Sequence, residues 1–305
     1  MAVQSKPVPG EPGSIKPRLR GLKALLTHQT FRRIVQTAVA AFIAFLAIQY
    51  VMIGENGPVV TPSPEAFCPF GGLETLYKYL TAGGTFISHT HLSNVVLLVA
   101  VLVVALLLRS AFCGWLCPLG FLQDLVSNLS SVLQKRIPGL RRGMTSLKKR
   151  GVRLAVLDHY LRYLKYLVLA WAVAGSIYFG FMVFRDYDPW SALINIAEFS
   201  LTPGMIILVI ILVASFFIER PWCRYACPLG AVSGLVGKVS PIYLKREESA
   251  CTSCKICTLA CPMGLEVHKA TTIRSADCNT CLECVGACPR NGALEVKFGL
   301  PIIGK

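Results

Sequence analysis

Apolar positions along the chain gather into four long stretches, and polar positions into the connections between them. The stretches cover about residues 34–53, 92–108, 164–184 and 203–218. A helix needs roughly 20 apolar residues to cross a bilayer, with about 17 tolerated. The first and third stretches reach that length. The second and fourth are shorter, but their interiors are free of charge. The pattern therefore predicts a mainly α membrane protein with four transmembrane helices. Beyond residue 240 the pattern changes to short apolar segments, with strands expected near Ile242–Lys245 and Ala293–Phe298. This divides the chain into a basic N-terminal tail (1–30), a membrane domain (31–240) and a small α+β domain (241–305). The tail is too long, basic and proline-rich for the n-region of a secretory leader, and the first stretch is longer than an h-region.

Composition agrees with the membrane reading: 54% of the 305 residues are hydrophobic, with mean hydropathy +0.56. The placement of charge is more informative than the formal net of +15. Lys and Arg number 7 before the first stretch, then 1, 11, 1 and 11 in the successive connections and the C-terminal region. The positive-inside rule then puts both termini and the central loop in the cytoplasm of an inner-membrane, multi-pass protein. The basic loop containing Arg141, Arg142, Lys148, Lys149 and Arg150 suits anionic lipid in this setting, and no nucleic-acid partner is expected.

The chain also repeats itself. Residues 109–126 read RSAFCGWLCPLGFLQDLV and residues 219–236 read ERPWCRYACPLGAVSGLV. Each segment follows an even-numbered stretch and shares C-x3-C-P-L-G. A weaker echo, Cys68-Pro69-Phe70 against Asp188-Pro189-Trp190, precedes each even stretch on the outer side. Each half holds two stretches, so the halves run in the same direction, as parallel repeats related by an axis along the membrane normal.

Thirteen cysteines carry the candidate chemistry. Eight form two runs of C-x2-C-x2-C-x3-C-P, the spacing that holds two [4Fe–4S] clusters with the fourth cysteine of each run serving the other cluster. By that rule Cys251, Cys254, Cys257 and Cys288 hold one cluster, and Cys278, Cys281, Cys284 and Cys261 hold the second. Zinc sites do not require the x3-C-P ending, and a disulfide framework does not suit a reducing compartment. In the repeat, residues i and i+4 of a helix share a face. Cys113 with Cys117, and Cys223 with Cys227, are thus expected to present paired thiols. Should the halves meet, four thiols converge as a third redox, metal or cluster site. The alternative is buried thiols that merely pack a tight turn. Cys68 stands alone on the outer side and reads first as a turn cysteine, with metal ligation as the alternative.

The two C-x3-C-P-L-G motifs, four spans and a C-terminal pair of ferredoxin runs together resemble the NapH-type membrane ferredoxins, over about residues 32–290. The same pattern is shared in part by NosR, CcoG and MauN. The resemblance implies electron transfer at or across the membrane, with quinol as the electron source and a redox partner protein on either side. It also carries Cys113, Cys117, Cys223 and Cys227 over as the family's motif cysteines. No C-x-x-C-H haem motif, outer flavin-binding domain or long C-terminal tail is present.

Other classes fit less well. None of the five histidines, His28, His89, His91, His159 and His268, lies inside a stretch, which disfavours a haem-binding cytochrome b. Uncharged span interiors disfavour a proton pump or ion transporter. His89 and His91, at the outer entry of the second stretch, read as interfacial residues able to exchange protons near neutral pH. The leading expectation is a non-catalytic iron–sulfur electron-transfer subunit. The alternative is an assembly or regulatory factor that reduces or handles a metal such as copper for an oxidase.

Overall fold

A computed structural model of the chain describes residues 28–53, 72, 75, 92–137, 155–179, 183–194 and 202–299. Cys68, His89 and His91 lie outside the described residues.

The apolar stretches form α1 (His28–Ile53), α2 (Leu92–Leu108), α5 (Leu164–Phe179) and α7 (Pro203–Ser215). Between them lie α3 (Pro118–Arg136), α4 (Ala155–Leu161) and the short α6 (Pro189–Ile194). After α7 come α8 (Pro221–Tyr225) and α9 (Pro228–Gly237). Prolines open α3, α6, α7, α8 and α9, where a missing N–H costs nothing because the first-turn donors have no intrahelical partner.

Among the described residues, one helix, over Gln29–Gln49, is long and apolar enough to cross a bilayer on length and composition. The helices of the other stretches are apolar but shorter. At 1.5 Å per residue, α7 is only about 20 Å long. All four nevertheless present apolar side chains outward, among them Phe45 on α1, Val99 on α2, Leu167 on α5 and Val209 on α7, each more than half exposed. Their inward positions are small or aliphatic: Val101, Ala105, Ala172 and Leu208 are almost fully enclosed.

The helices pack as two equivalent sets. Helix α3 contacts α1 of its own half and α7 of the other, while α9 contacts α5 of its own half and α2 of the other. That reciprocal exchange is what the sequence repeat predicts. The Asp188–Leu193 segment packs at the start of α7, where a Cβ on Gly204 would meet the Asp186 and Asp188 carbonyls. Its neighbour Phe184 stacks on Trp222 at 6.3 Å between ring centres, and Ala192 joins the buried core with Leu119, Leu208 and Ile211.

The C-terminal region is a three-stranded antiparallel sheet of order β2-β1-β3, with β1 at Ile242–Arg246, β2 at Thr272–Ile273 and β3 at Leu294–Phe298. Two short helices, α10 (Ile256–Leu259) and α11 (Glu283–Ala287), carry cysteines and pack together. The two expected strands are present; β2, at two residues, is too short to leave an alternation in the sequence.

Candidate functional site

The turn that carries each C-x3-C motif is set by its proline. Pro118 and Pro228 force the preceding residue out of helical conformation, so Cys117 (φ −67°, ψ 115°) and Cys227 (φ −71°, ψ 114°) are extended. The second cysteine of each pair is therefore not on a helix face four residues after the first, as the spacing suggests. It caps the next helix instead. Both turns close with the same wide hydrogen bond, Cys117 N–H to Phe112 O at 3.0 Å and Cys227 N–H to Trp222 O at 2.9 Å. In the first half this makes a π-helical turn over Phe112–Leu116, a geometry frequent at functional sites. As a cap, the Cys227 sulfur accepts from Gly230 N–H at 3.3 Å, and the Cys117 sulfur lies against the Gly120 and Leu119 amides. The Pro-Leu-Gly sequence thus aims free helix-end donors at a sulfur.

All four cysteines line one cavity of about 260 Å³. The halves meet there through equivalent residues. Cys113 Sγ lies 3.7 Å from Ser233 Oγ, and Gln123 Nε2 lies 3.7 Å from Cys223 Sγ. Ser233 and Gln123 occupy matching positions of the repeat, six residues beyond Cys227 and Cys117. Burial pushes the Cys113 and Cys117 thiols up to about 11 and Cys223 to about 12, with neighbouring cysteines adding to the rise.

The remaining polar wall sets the donors Lys165, Arg220 and Asn279 beside the carboxylates of Asp188 and Asp277. Arg220 is fully enclosed and in left-handed conformation (φ 50°). It donates to Cys113 O at 2.8 Å and to Asp124 at 2.5 and 2.6 Å. Arg32 shares Asp124 at 2.7 Å, and donates to Gly114 O at 2.9 Å and Glu283 at 2.6 Å. Burial works against the Asp124 carboxylate, but Arg220 and then Arg32 outweigh it and hold the group below the usual range. Lys165 enters the cavity wall paired with Asp277. Two further donors, Asn279 Nδ2 and Trp190 Nε1, are buried without a hydrogen-bond partner among the described residues. Four thiols and two unsatisfied N–H groups thus share a lining in which Lys165 and Arg220 are balanced by carboxylates, a donor set that fits a thiolate-ligated group such as an iron–sulfur cluster. Among the described residues, no three His, Cys, Asp or Glu side chains stand close enough to hold a single metal ion.

The cavity is roofed by a loop of the C-terminal domain. Gly114 touches the Asn279 carbonyl and Gly234 the Ala276 carbonyl so closely that a Cβ at either position would overlap it. Trp115 Nε1 donates to Thr280 O at 3.0 Å. Arg109, also left-handed (φ 60°), donates to Ile273 O at 2.8 Å and Ser275 O at 2.6 Å. The opposite side is clamped by Asp158, which accepts from Arg162, Arg224 and Tyr225, while Arg162 also reaches Asp277 and Gly264 O.

Within the C-terminal domain, Cys278, Cys281 and Cys284 are buried, whereas Cys254 is exposed. Electrostatic coupling follows proximity. Cys257 feels Cys288 and Cys251, and Cys284 feels Cys281, Cys261 and Cys278. Burial raises Cys257, Cys261 and Cys284; at Cys251, near the surface, the Ser253 amide and Arg246 outweigh it and hold the thiol down. The left-handed residues Ser253, Lys255, Thr280 and Leu282 turn the two C-x2-C-x2-C loops. The electrostatic couplings cross between the two runs, Cys257 with Cys288 and Cys284 with Cys261.

The spacing of cysteines did not reveal Arg32, Asp124, Asp158, Arg220, Asp277 or Asn279. One signal was present: Asp124 and Asp158 are the only acids among eleven bases between Arg109 and Lys165.

Comparisons with known proteins bear on the same residues. A family model described as a 4Fe-4S binding domain matches twice, at residues 90–138 and 201–246, and a 4Fe-4S dicluster domain matches residues 243–289. YccM of Escherichia coli, named for electron transport, is 33% identical over 241 residues, covering 79% of this chain and 65% of YccM, just under two thirds of that protein. The uncharacterised protein MJ0750 of Methanocaldococcus jannaschii is 30% identical, covering 64% of this chain and 75% of its own. The ferredoxin-type protein NapH of Haemophilus influenzae is 29% identical, covering 62% and 63%. No solved structure matches the chain.

Proposed function

Because the chain belongs to the NapH-type group of 4Fe–4S ferredoxin-like proteins, an iron–sulfur electron-transfer group, we propose that it is a membrane-bound relay subunit. It moves single electrons between the quinone pool, or an extracytoplasmic partner, and cytoplasmic-side [4Fe–4S] clusters. In this reading α1, α2, α5 and α7 all sit in the bilayer as two parallel repeats, with both termini cytoplasmic. The membrane part ends and the ferredoxin domain begins near residue 240. The outward apolar faces of all four helices support it, since a soluble protein rarely leaves such faces uncovered.

The ferredoxin ligands are Cys251, Cys254, Cys257 and Cys288 for one cluster, and Cys278, Cys281, Cys284 and Cys261 for the other. Cys113, Cys117, Cys223 and Cys227 hold a third. Bound clusters supply reversible one-electron chemistry. The chain's own residues hold the three thiol groups in order, exclude water and fix buried ion pairs around the cavity. The observation that carries the proposal is the shared cavity. Thiols from both repeat halves line it, and the loop bearing Cys278 and Cys281 closes it. Phe42 lines the same cavity and is exposed on the outside of α1, so its apolar end reaches the lipid-facing surface, where a quinol could approach.

Reduction of the clusters by a quinol analogue, with the full chain in liposomes, tests this. The unaltered protein is expected to show quinol-driven reduction. Cys113→Ser is expected to lose it while dithionite still reduces the ferredoxin clusters. Equal quinol-driven reduction in both proteins would overturn the relay through the cavity.

A further inference from the structure

We infer that Asn279 and Trp190 are the hydrogen-bond donors to the cluster held by the Cys113, Cys117, Cys223 and Cys227 thiols, and that they raise its potential relative to the ferredoxin clusters. The inference deepens the relay reading and rests on its third cluster.

Asn279 belongs to one site by sequence and to another by position. It sits between Cys278 and Cys281, ligands of a ferredoxin cluster, yet lines the cavity of the C-x3-C thiols. The residue is 4% exposed, and its Nδ2 is buried with no partner. Its place is fixed from outside the cavity, because its carbonyl packs on Gly114 and the next carbonyl accepts from Trp115. Trp190, at the start of α6, lines the same cavity and has its Nε1–H buried and unpartnered as well.

The thiols already have contacts of their own: Cys113 with Ser233, Cys223 with Gln123, and Cys227 with the Gly230 amide. Two donors therefore remain for an acceptor that the protein itself does not provide. Lys165 and Arg220 also line the wall, but each is ion-paired with an aspartate, and Asp188 and Asp277 line it as well, so the two unpartnered N–H groups are what mark the acceptor. The bridging sulfides of a thiolate-ligated cluster would meet that demand. On one-electron reduction no bond forms or breaks; the cluster gains one negative charge, and an N–H donor to sulfur stabilises the more negative state. Removing the donor makes reduction harder.

The test is an EPR-monitored redox titration of the full chain, purified anaerobically in detergent, with iron counted in the same samples. Asn279→Leu keeps similar volume without a donor. Trp190→Phe does the same on an element that bears no ligand, and it decides the matter should Asn279→Leu disturb the neighbouring ferredoxin ligands. Each variant is expected to keep about twelve irons. At a fixed potential the reduced-to-oxidised ratio of the third cluster should drop roughly tenfold, a fall of about 59 mV for one electron, with both ferredoxin clusters unmoved. A variant with full iron and an unshifted third midpoint overturns that residue's role. About eight irons in the unaltered protein would instead overturn the third cluster, and the inference with it, before any variant is made.

Discussion

Asp124 is a single carboxylate between two buried guanidinium groups, and its loss should be felt well beyond its size. Among the described residues, Asp124→Asn leaves Arg220, fully enclosed, with no ion-pair partner, and leaves Arg32 with Glu283 as its one carboxylate. Breaking a buried pair by removing one partner costs about 3–5 kcal/mol, which denaturant melts of the detergent-solubilised protein would register. The pH dependence follows from the lowered titration of the carboxyl. Its contribution is complete above the ordinary Asp value of about 4 and is lost only as pH falls through the lowered one. The cavity thiols behave in the opposite way when no cluster is bound. Cys113 and Cys117 titrate near 11 against an ordinary 9.0. The protein without clusters therefore keeps their full contribution below pH 9 and loses it as pH rises through 11, seen as a falling melting temperature. Cluster insertion must expel those protons, so reconstitution is expected to improve from pH 7 toward pH 9.

At the scale of elements, the contact between α9 and the ligand loop decides whether the ferredoxin domain is docked or merely tethered. Gly234 sits mid-helix, where alanine is favoured over glycine by about 1 kcal/mol. Here the added Cβ would overlap the Ala276 carbonyl, and overpacking costs about 1–3 kcal/mol. The clash outweighs the propensity. Gly234→Ala is thus expected to lower stability and to speed hydrogen exchange across residues 273–281; a gain in stability would mean that the loop is free of α9. The same scale shows what sequence could convey. Cysteine spacing, the repeat and strands β1 and β3 are local patterns, and they were legible. That Cys117 and Cys227 leave the helix was also readable, because a residue before proline avoids helical conformation. The partners of Asp124 lie 92 and 96 residues away, and those of Asp277 112 and 115. No periodicity encodes such pairings; the isolation of Asp124 and Asp158 among many bases hinted at their own, and nothing local hinted at those of Asp277.

For the whole molecule, the contacts between elements order the three thiol groups. Cys254 at the surface marks the end where a soluble partner can approach. The quartet containing the buried Cys278, Cys281 and Cys284 comes next, and the C-x3-C cavity beneath it reaches the apolar flank of α1 through Phe42. The two repeat halves each supply two thiols to that cavity, so neither half can form the site alone. Replacing the cysteines of one motif, Cys223→Ser with Cys227→Ser, should therefore remove the whole of the proposed third cluster and leave the proposed ferredoxin pair intact. The most direct measurement is iron and acid-labile sulfide per chain in anaerobically purified protein, with EPR of the reduced state. The account predicts about twelve irons, falling to about eight in the double variant. About eight irons in the unaltered protein, unchanged by the double substitution, would contradict it.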